Sequence, residues 1–367
     1  MAGMSVRDVR RQIGQLAIAG FAGLSIPPEL RTLAREFDLG GIILFKRNVD
    51  SPEQVAEIAR EARSLAKELP LWVSVDQEGG RVARLKAPFT VWPPMLALGR
   101  SGDDALARRF ARVLAAELKA VGISLDFTPV LDLYTNPDNP AIGDRSLGER
   151  PDDVARLGVA IIETLQAEGI AACGKHFPGH GDTSTDSHHE LPLVEHGLDR
   201  LDAVEWVPFK AAIQAGVAAI MTAHLLVPAF DEENPGTLSP AIVDGLLKQK
   251  LGFGGVVMTD DLEMKAISAR YTTAQATVRA IAAGVDVALM CGQSAEPQVE
   301  ALEALIHAVE DGSIPLKRAE DALARHRRMK ERFLAGKRPA PLDERALRTF
   351  LGRDEHQAVA AEMARFA

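Results

Sequence analysis

The stretch IAACGKHFPGHGDTSTDSHHELP, residues 170–192, begins as one kind of chain and ends as another. Its opening, IAACGKH, is a short apolar run of the length a strand buried on both faces requires. The remainder, from Phe177 onward, is neither helix nor long strand. Pro178, Gly179, Gly181 and Pro192 break it, and His180, Asp182, Asp186, His188, His189 and Glu190 crowd into it just beyond His176. In a parallel α/β sheet, chemistry gathers where buried strands give way to loops at their carboxyl ends.

The same grammar recurs along the chain. Apolar runs of strand length stand at 15–21, 40–45, 71–76, 123–130, 170–176, 217–224, 254–260 and 284–290. Between them lie helix-period segments. SPEQVAEIAREARSLAKEL (51–69) opens on a Ser cap with Pro in the first turn, and DDALARRFARVLAAELKAVG (103–122) stops on glycine. Others fall near 152–169, 198–216, 239–250, 272–283 and 296–311. Eight strands alternating with helices predict an α/β chain folded as a single (β/α)8 TIM-type barrel. A doubly wound open sheet has the same alternation, but no Gly-rich phosphate fingerprint follows the early strands. After residue 315 the pattern is helical and charged, and KRPAPLDERA reads as a linker to a last helix. The expected division is a catalytic barrel over 1–335 and a linker with helix over 336–367, the C-terminal helices packing outside and forming no separate domain.

Composition narrows the function. The chain has 367 residues, 47% hydrophobic and 25% charged, enough for a sizeable core. A net charge of −9 argues against nucleic acid or an anionic membrane as partner. The two cysteines, Cys173 and Cys291, each follow a buried-strand pattern and read as free thiols in a reducing compartment. The N-terminal MSVRDVRRQIGQLAIAGFAGLSIP has basic residues before an apolar stretch, as a signal peptide does, but glycines break it and helix-like sequence comes at once after it. It is read as a first strand, and the expected location is cytoplasmic.

Polar groups collect at the expected strand ends. They are Asp76, Gln77 and Glu78 with Arg81 and Arg84 after strand three, Asp144 and Arg145 beyond strand four, and Lys175 and His176 on strand five. His224 ends strand six, and Asp260 and Asp261 end strand seven. Each has an ordinary alternative. Asp76 can cap a turn before Gly79–Gly80, Arg84 and Arg145 can be surface charges, and His176 can be a satisfied structural residue. Lys175 is harder to dismiss, because a lysine at a buried strand end is costly without a task. In a pocket, Asp76 would accept from paired sugar hydroxyls, and the arginines would act as forked donors.

Within the loop, metal binding competes with acid–base chemistry. Neither His-x-His on a strand nor His-Glu-x-x-His on a helix is present, and a mobile, Ser/Thr-rich loop suits a lid better than a metal cage. Asp186 and His188, two apart in a turn, can form a dyad in which the carboxylate orients the imidazole and leaves Nε2 free for proton transfer. Consecutive strand residues face opposite ways, so Asp260 and Asp261 should not both face the mouth. The reactive role goes to Asp260, and Asp261 is left to cap the next helix or hold the loop.

Together DQEGGRVAR, AIGDRS, GKHFPGHGDTSTDSH and TDDLEM, in this order, resemble the signatures of bacterial β-N-acetylglucosaminidases of glycoside hydrolase family 3, the cell-wall recycling type. The resemblance covers residues 10–335. It implies a one-domain barrel, Asp260 as nucleophile, His188 with Asp186 as acid–base dyad, and Asp76, Arg84, Arg145, Lys175 and His176 as binding residues for N-acetylglucosamine. It implies no cofactor and no metal. The implied partner is a small-molecule muropeptide ending in β-1,4-linked N-acetylglucosamine on 1,6-anhydro-N-acetylmuramic acid, acted on by a monomer. A phosphorylase, a broader β-glycosidase, hydrolysis assisted by the substrate's acetamido group, metal-dependent hydrolysis and a non-catalytic muropeptide sensor stay open as alternatives.

Overall fold

The computed structural model describes residues 5–336 and 340–367. The first residues of the expected barrel and of the signal-like stretch, and 337–339 of the expected linker, lie outside that range.

Eight parallel strands close on themselves. They are β1 (Ala17–Ala19), β2 (Gly41–Leu44), β3 (Trp72–Val75), β4 (Leu125–Asp126), β5 (Ala171–Phe177), β6 (Ala219–Thr222), β7 (Val256–Asp261) and β8 (Val287–Met290). Each pairs with its sequence neighbours, and β8 returns to β1 with Ile18 opposite Leu289. The barrel is therefore closed, not doubly wound. All eight expected strands exist, but most are shorter than their apolar runs. The stretch Ile13–Leu16 winds into a tight turn before β1, and β4 is two residues long because Pro129 has no amide to donate.

Strand alternation divides the core in two. Ile18, Ile43, Trp72, Phe127, Met221, Met258 and Leu289 fill the barrel interior. Their neighbours Ala17, Ile42, Val73, Ile220 and Val257 face the helix ring. Met329, Phe333 and Leu334 join the interior cluster beside Trp72, so the helix Leu316–Leu334 lies across the floor where the strands begin. With the floor covered, the opposite mouth is left for a site.

The helices obey local signals. Ser51 caps Pro52–Ser64, Asp103 caps Asp104–Ala120, and Thr272 forms a capping box on Thr273–Ala283. The helix expected over 198–216 is broken into Leu198–Ala203 and Val207–Gln214, with Pro208 opening the second. Among the described residues the tail holds two helices instead of one, because Asp343 caps Glu344–Phe350 ahead of Asp354–Ala364. The last of these is tied to the barrel's outer ring through Arg109 and Glu362, 2.6 Å apart.

Candidate active site

At the mouth is a pocket of about 290 Å³. The eight residues expected to carry catalysis or binding line it: Asp76, Arg84, Arg145, Lys175, His176, Asp186, His188 and Asp260. They come from four segments far apart in the chain, gathered because every strand ends on the same side.

One wall is a buried charge network. Lys175 Nζ lies 2.8 Å from Asp76 Oδ1 and 2.6 Å from Glu78 Oε1. Arg145 forks onto Glu78, with Nε at 2.9 Å and Nη2 at 2.8 Å. Arg84 Nη2 donates to Asp76 at 3.4 Å, and its buried Nε has no partner among the described residues. Burial alone would raise the Glu78 carboxyl, but Arg145 and Lys175 outweigh it and hold it well below the usual range. Burial likewise opposes charge on Lys175, yet Asp76 and Glu78 raise its pKa instead. Glu78 and Lys175 therefore stay ionised within a network of charge-assisted hydrogen bonds. Glu78 stood in the motif, but nothing in the sequence set it apart from its neighbours as the hub.

Asp132 is a second hub that the sequence reading missed. Fully buried, its carboxylate accepts from the His176 amide at 3.0 Å and the His180 amide at 2.6 Å, and lies 2.7 Å from His176 Nδ1. Burial would raise this carboxyl, but His176 reverses the shift and holds it low. An acid inside the apolar run TPVLDLY was the available signal. His180 is buried too, which pushes its pKa down to about 4 against the pull of Asp132.

Asp260 sits where β7 enters the pocket, and its Oδ1 accepts the Asp261 amide at 2.7 Å. Burial would raise its pKa, but His176, His224 and that amide lower it on balance, so the carboxylate is ionised. The expectation that Asp261 faces away from the mouth is corrected: it borders the same pocket. Between β7 and β8 the register slips, Met258 pairing with Val287 but Asp261 with Leu289, so alternation is lost there. Asp261 Oδ1 accepts from the Glu263 amide at 3.0 Å and the Cys291 amide at 3.1 Å, which secures the loop.

On the same pocket, Asp186 Oδ1 accepts the His188 amide at 2.9 Å and meets His188 Nδ1 at 2.8 Å. The Asp186 carboxyl is lowered, its burial outweighed by those two His188 contacts. The His188 side chain is 66% exposed, so Nε2 is accessible at the rim. The loop packs closely at several points. Thr183 and Ser187 are buried, and a Cβ on Gly181 would lie 1.9 Å from the Leu133 carbonyl oxygen, so that glycine serves a close approach. Asp182 pairs with His196 away from the pocket, and His189 is exposed. His224 lies beneath the mouth between Thr237 and the Asp261 carbonyl.

Among the described residues, no cluster of three or more His, Cys, Asp or Glu side chains is arranged to hold a metal ion, and no helix is long and apolar enough to cross a membrane. Cys173 and Cys291 are both free and buried.

A model of the glycosyl hydrolase family 3 N terminal domain matches residues 8–329. The chain belongs to glycosyl hydrolase family 3. Beta-hexosaminidase A of Pseudoalteromonas piscicida is 38% identical over 286 residues, which are 72% of this chain and 48% of that protein, so the chain spans about half of that relative. A family 3 beta-N-acetylglucosaminidase from Paenibacillus sp. str. FPU-7 superposes with a TM-score of 0.90 at 43% identity, covering 97% of this chain and 68% of the other. NagZ from Neisseria gonorrhoeae matches over 96% of this chain and 97% of its own, with 33% identity and a TM-score of 0.76. That NagZ has also been crystallised with N-trifluoroacetyl-D-glucosamine. Within family 3, the chain is a glycoside hydrolase of the β-N-acetylhexosaminidase type.

Proposed function

We propose that this chain is a retaining exo-β-N-acetylglucosaminidase that removes terminal β-1,4-linked N-acetylglucosamine from 1,6-anhydro-muropeptides during peptidoglycan recycling. The observation that carries this reading is one pocket bordered by an ionised Asp260 and by the Asp186–His188 pair, with a ring of fixed donors and acceptors beside them. A volume of about 290 Å³ suits one sugar unit better than a long chain. The likeness to a NagZ seen with an N-acylated glucosamine supports the hexosamine, and through it the muropeptide. Two buried unpaired thiols suit the reducing cytoplasm where such fragments would be processed.

In the first step, an Asp260 carboxylate oxygen bonds to the anomeric carbon as the glycosidic C–O bond breaks, and the imidazolium of His188 gives its Nε2 proton to the leaving oxygen. In the second, neutral His188 takes a proton from water, whose oxygen attacks the anomeric carbon and releases Asp260. Two inversions retain configuration. Asp186 holds the ring through Nδ1 in both steps. Asp76, Arg84, Arg145, Lys175 and His176 hold the sugar hydroxyls.

A fluorinated N-acetylglucosaminide with subsequent peptide mass mapping tests the reading. A covalent adduct on Asp260, with turnover abolished in a folded Asp260→Ala variant, supports it. Full inhibition without an adduct would assign the nucleophile to the substrate's acetamido group.

A further inference from the structure

The residue between the two members of the dyad is the anchor of the loop. From Ser184 to Glu190, Ser187 alone is buried. Its carbonyl accepts the Ala266 amide at 3.1 Å, and Ala266 belongs to the short helix Lys265–Ser268 just beyond the Asp260–Asp261 strand end. Its hydroxyl makes a long contact, 3.4 Å, with His180 Nε2. The other ring nitrogen of His180 lies 2.7 Å from Thr183 Oγ1, and its amide is held by Asp132. Asn139 Nδ2 donates to the His180 carbonyl at 2.7 Å and to Thr183 Oγ1 at 3.2 Å. The dyad is thus stitched on one side to the β7 end and on the other, through His180 and Asp132, to His176.

We propose that His180 and Ser187 are positioning residues: a clamp that sets His188 Nε2 opposite Asp260, so that the proton donor and the nucleophile address the same glycosidic bond. This rests on the reading of His188 as the acid–base group. A proton transfer across a bond is sensitive to placement, and a displacement of about 1 Å costs on the order of 100-fold in rate. An exposed imidazole on an unanchored loop would not hold such a tolerance. The Asp186–His188 hydrogen bond fixes the ring against its own loop, while Ser187 fixes that loop against the barrel.

The test measures kcat/KM on aryl β-N-acetylglucosaminides of graded leaving-group pKa. The full-length variants are Ser187→Ala, His180→Asn, His180→Gln and His188→Ala. Acid assistance matters most for poor leaving groups. In Ser187→Ala and His180→Asn the loss should therefore be about tenfold larger for the poorest leaving group than for the best. His180→Gln reaches toward the Nε2 position that meets Ser187 and should recover part of that loss, which Asn cannot. A loss equal across leaving groups, as from a smaller folded fraction, overturns the clamp provided His188→Ala shows the steep dependence. A flat dependence in His188→Ala itself overturns the acid–base reading instead. Should the His180 variants not fold, Ser187→Ala decides alone, and an unaltered leaving-group dependence there overturns the proposal.

Discussion

Asp260 and Asp261 are adjacent in the chain, border the same pocket, and are driven in opposite directions. Asp260 is lowered, while burial raises Asp261 to about 6 despite the Glu263 and Cys291 amides. The difference lies in what surrounds each. Asp260 has His176, His224 and Lys175 near it, whereas Asp261 has two further acids, Glu263 and Asp260. Between one ionised carboxylate and a neighbour that readily takes a proton, the ionised one is fitted to attack an electrophilic carbon.

That asymmetry makes stability depend on pH. Below the ordinary value of 3.8, Asp261 is protonated folded or unfolded; between 3.8 and about 6 only the folded chain keeps the proton. Its contribution to folding is thus fully present below 3.8 and lost as pH rises through about 6. A shift of this size corresponds to at most about 3 kcal/mol. Asp261→Asn keeps an oxygen for the two amides and removes the titration. Urea unfolding of both proteins should show the variant gaining on wild type by up to about 3 kcal/mol between about pH 4 and about pH 8. A constant difference across that range would show that Asp261 is not shifted.

Glu78 is the keystone of the charged wall, pairing with both Arg145 and Lys175. Replacing it with Leu leaves the buried Arg145 without its carboxylate and Lys175 with Asp76 alone, at a cost of about 3–5 kcal/mol. Because the held-low Glu78 carboxyl stabilises the fold above the usual carboxylate pKa, the gap between wild type and Glu78→Gln should narrow as pH falls below about 4. Kinetically, Glu78→Gln should raise KM more than it lowers kcat, since the residues proposed to hold the sugar lose their frame while Asp260 is untouched. A kcat loss with KM unchanged would place Glu78 in the chemical step.

The C-terminal helices are held by another buried carboxylate. Glu117 accepts from the Thr90 amide at 2.9 Å, the Thr90 hydroxyl at 2.7 Å and the Gly352 amide at 2.9 Å, and meets His356 Nδ1 at 2.8 Å. Gly352 has a φ of 57°, and a Cβ there would lie 2.2 Å from the Pro88 carbonyl oxygen. Gly352→Ala should therefore cost about 1–3 kcal/mol. Limited proteolysis should cut this variant first near 340–353, before the barrel. Wild-type resistance there would show that the Glu117 cluster does not secure the tail.

Much of this molecule was readable from its residues. Strand runs such as GGVVMTD are apolar on both faces, which only a sheet covered on both sides explains, and helix caps such as Ser51 and Thr272 act within a turn of themselves. Motif order was enough to collect eight pocket residues. Other features depended on distant neighbours. A register slip against β8 breaks the alternation at Asp261, which borders the pocket beside Asp260, and Ser187 is buried with contacts to His180 and Ala266 from elsewhere in the fold.

What the sequence by itself determined is local: which segments are strands, which are helices, and which residue types stand at each strand's end, because hydrophobic period and capping are properties of neighbours in the chain. Only the tertiary structure decided closure of the barrel, the partners of Lys175, and the hubs at Glu78 and Asp132. Those depend on burial and on charges brought within a few ångströms from far along the chain. Whether a buried carboxylate is held low like Asp260 or driven up like Asp261 is set by that surrounding charge and solvent exclusion, which no single segment carries.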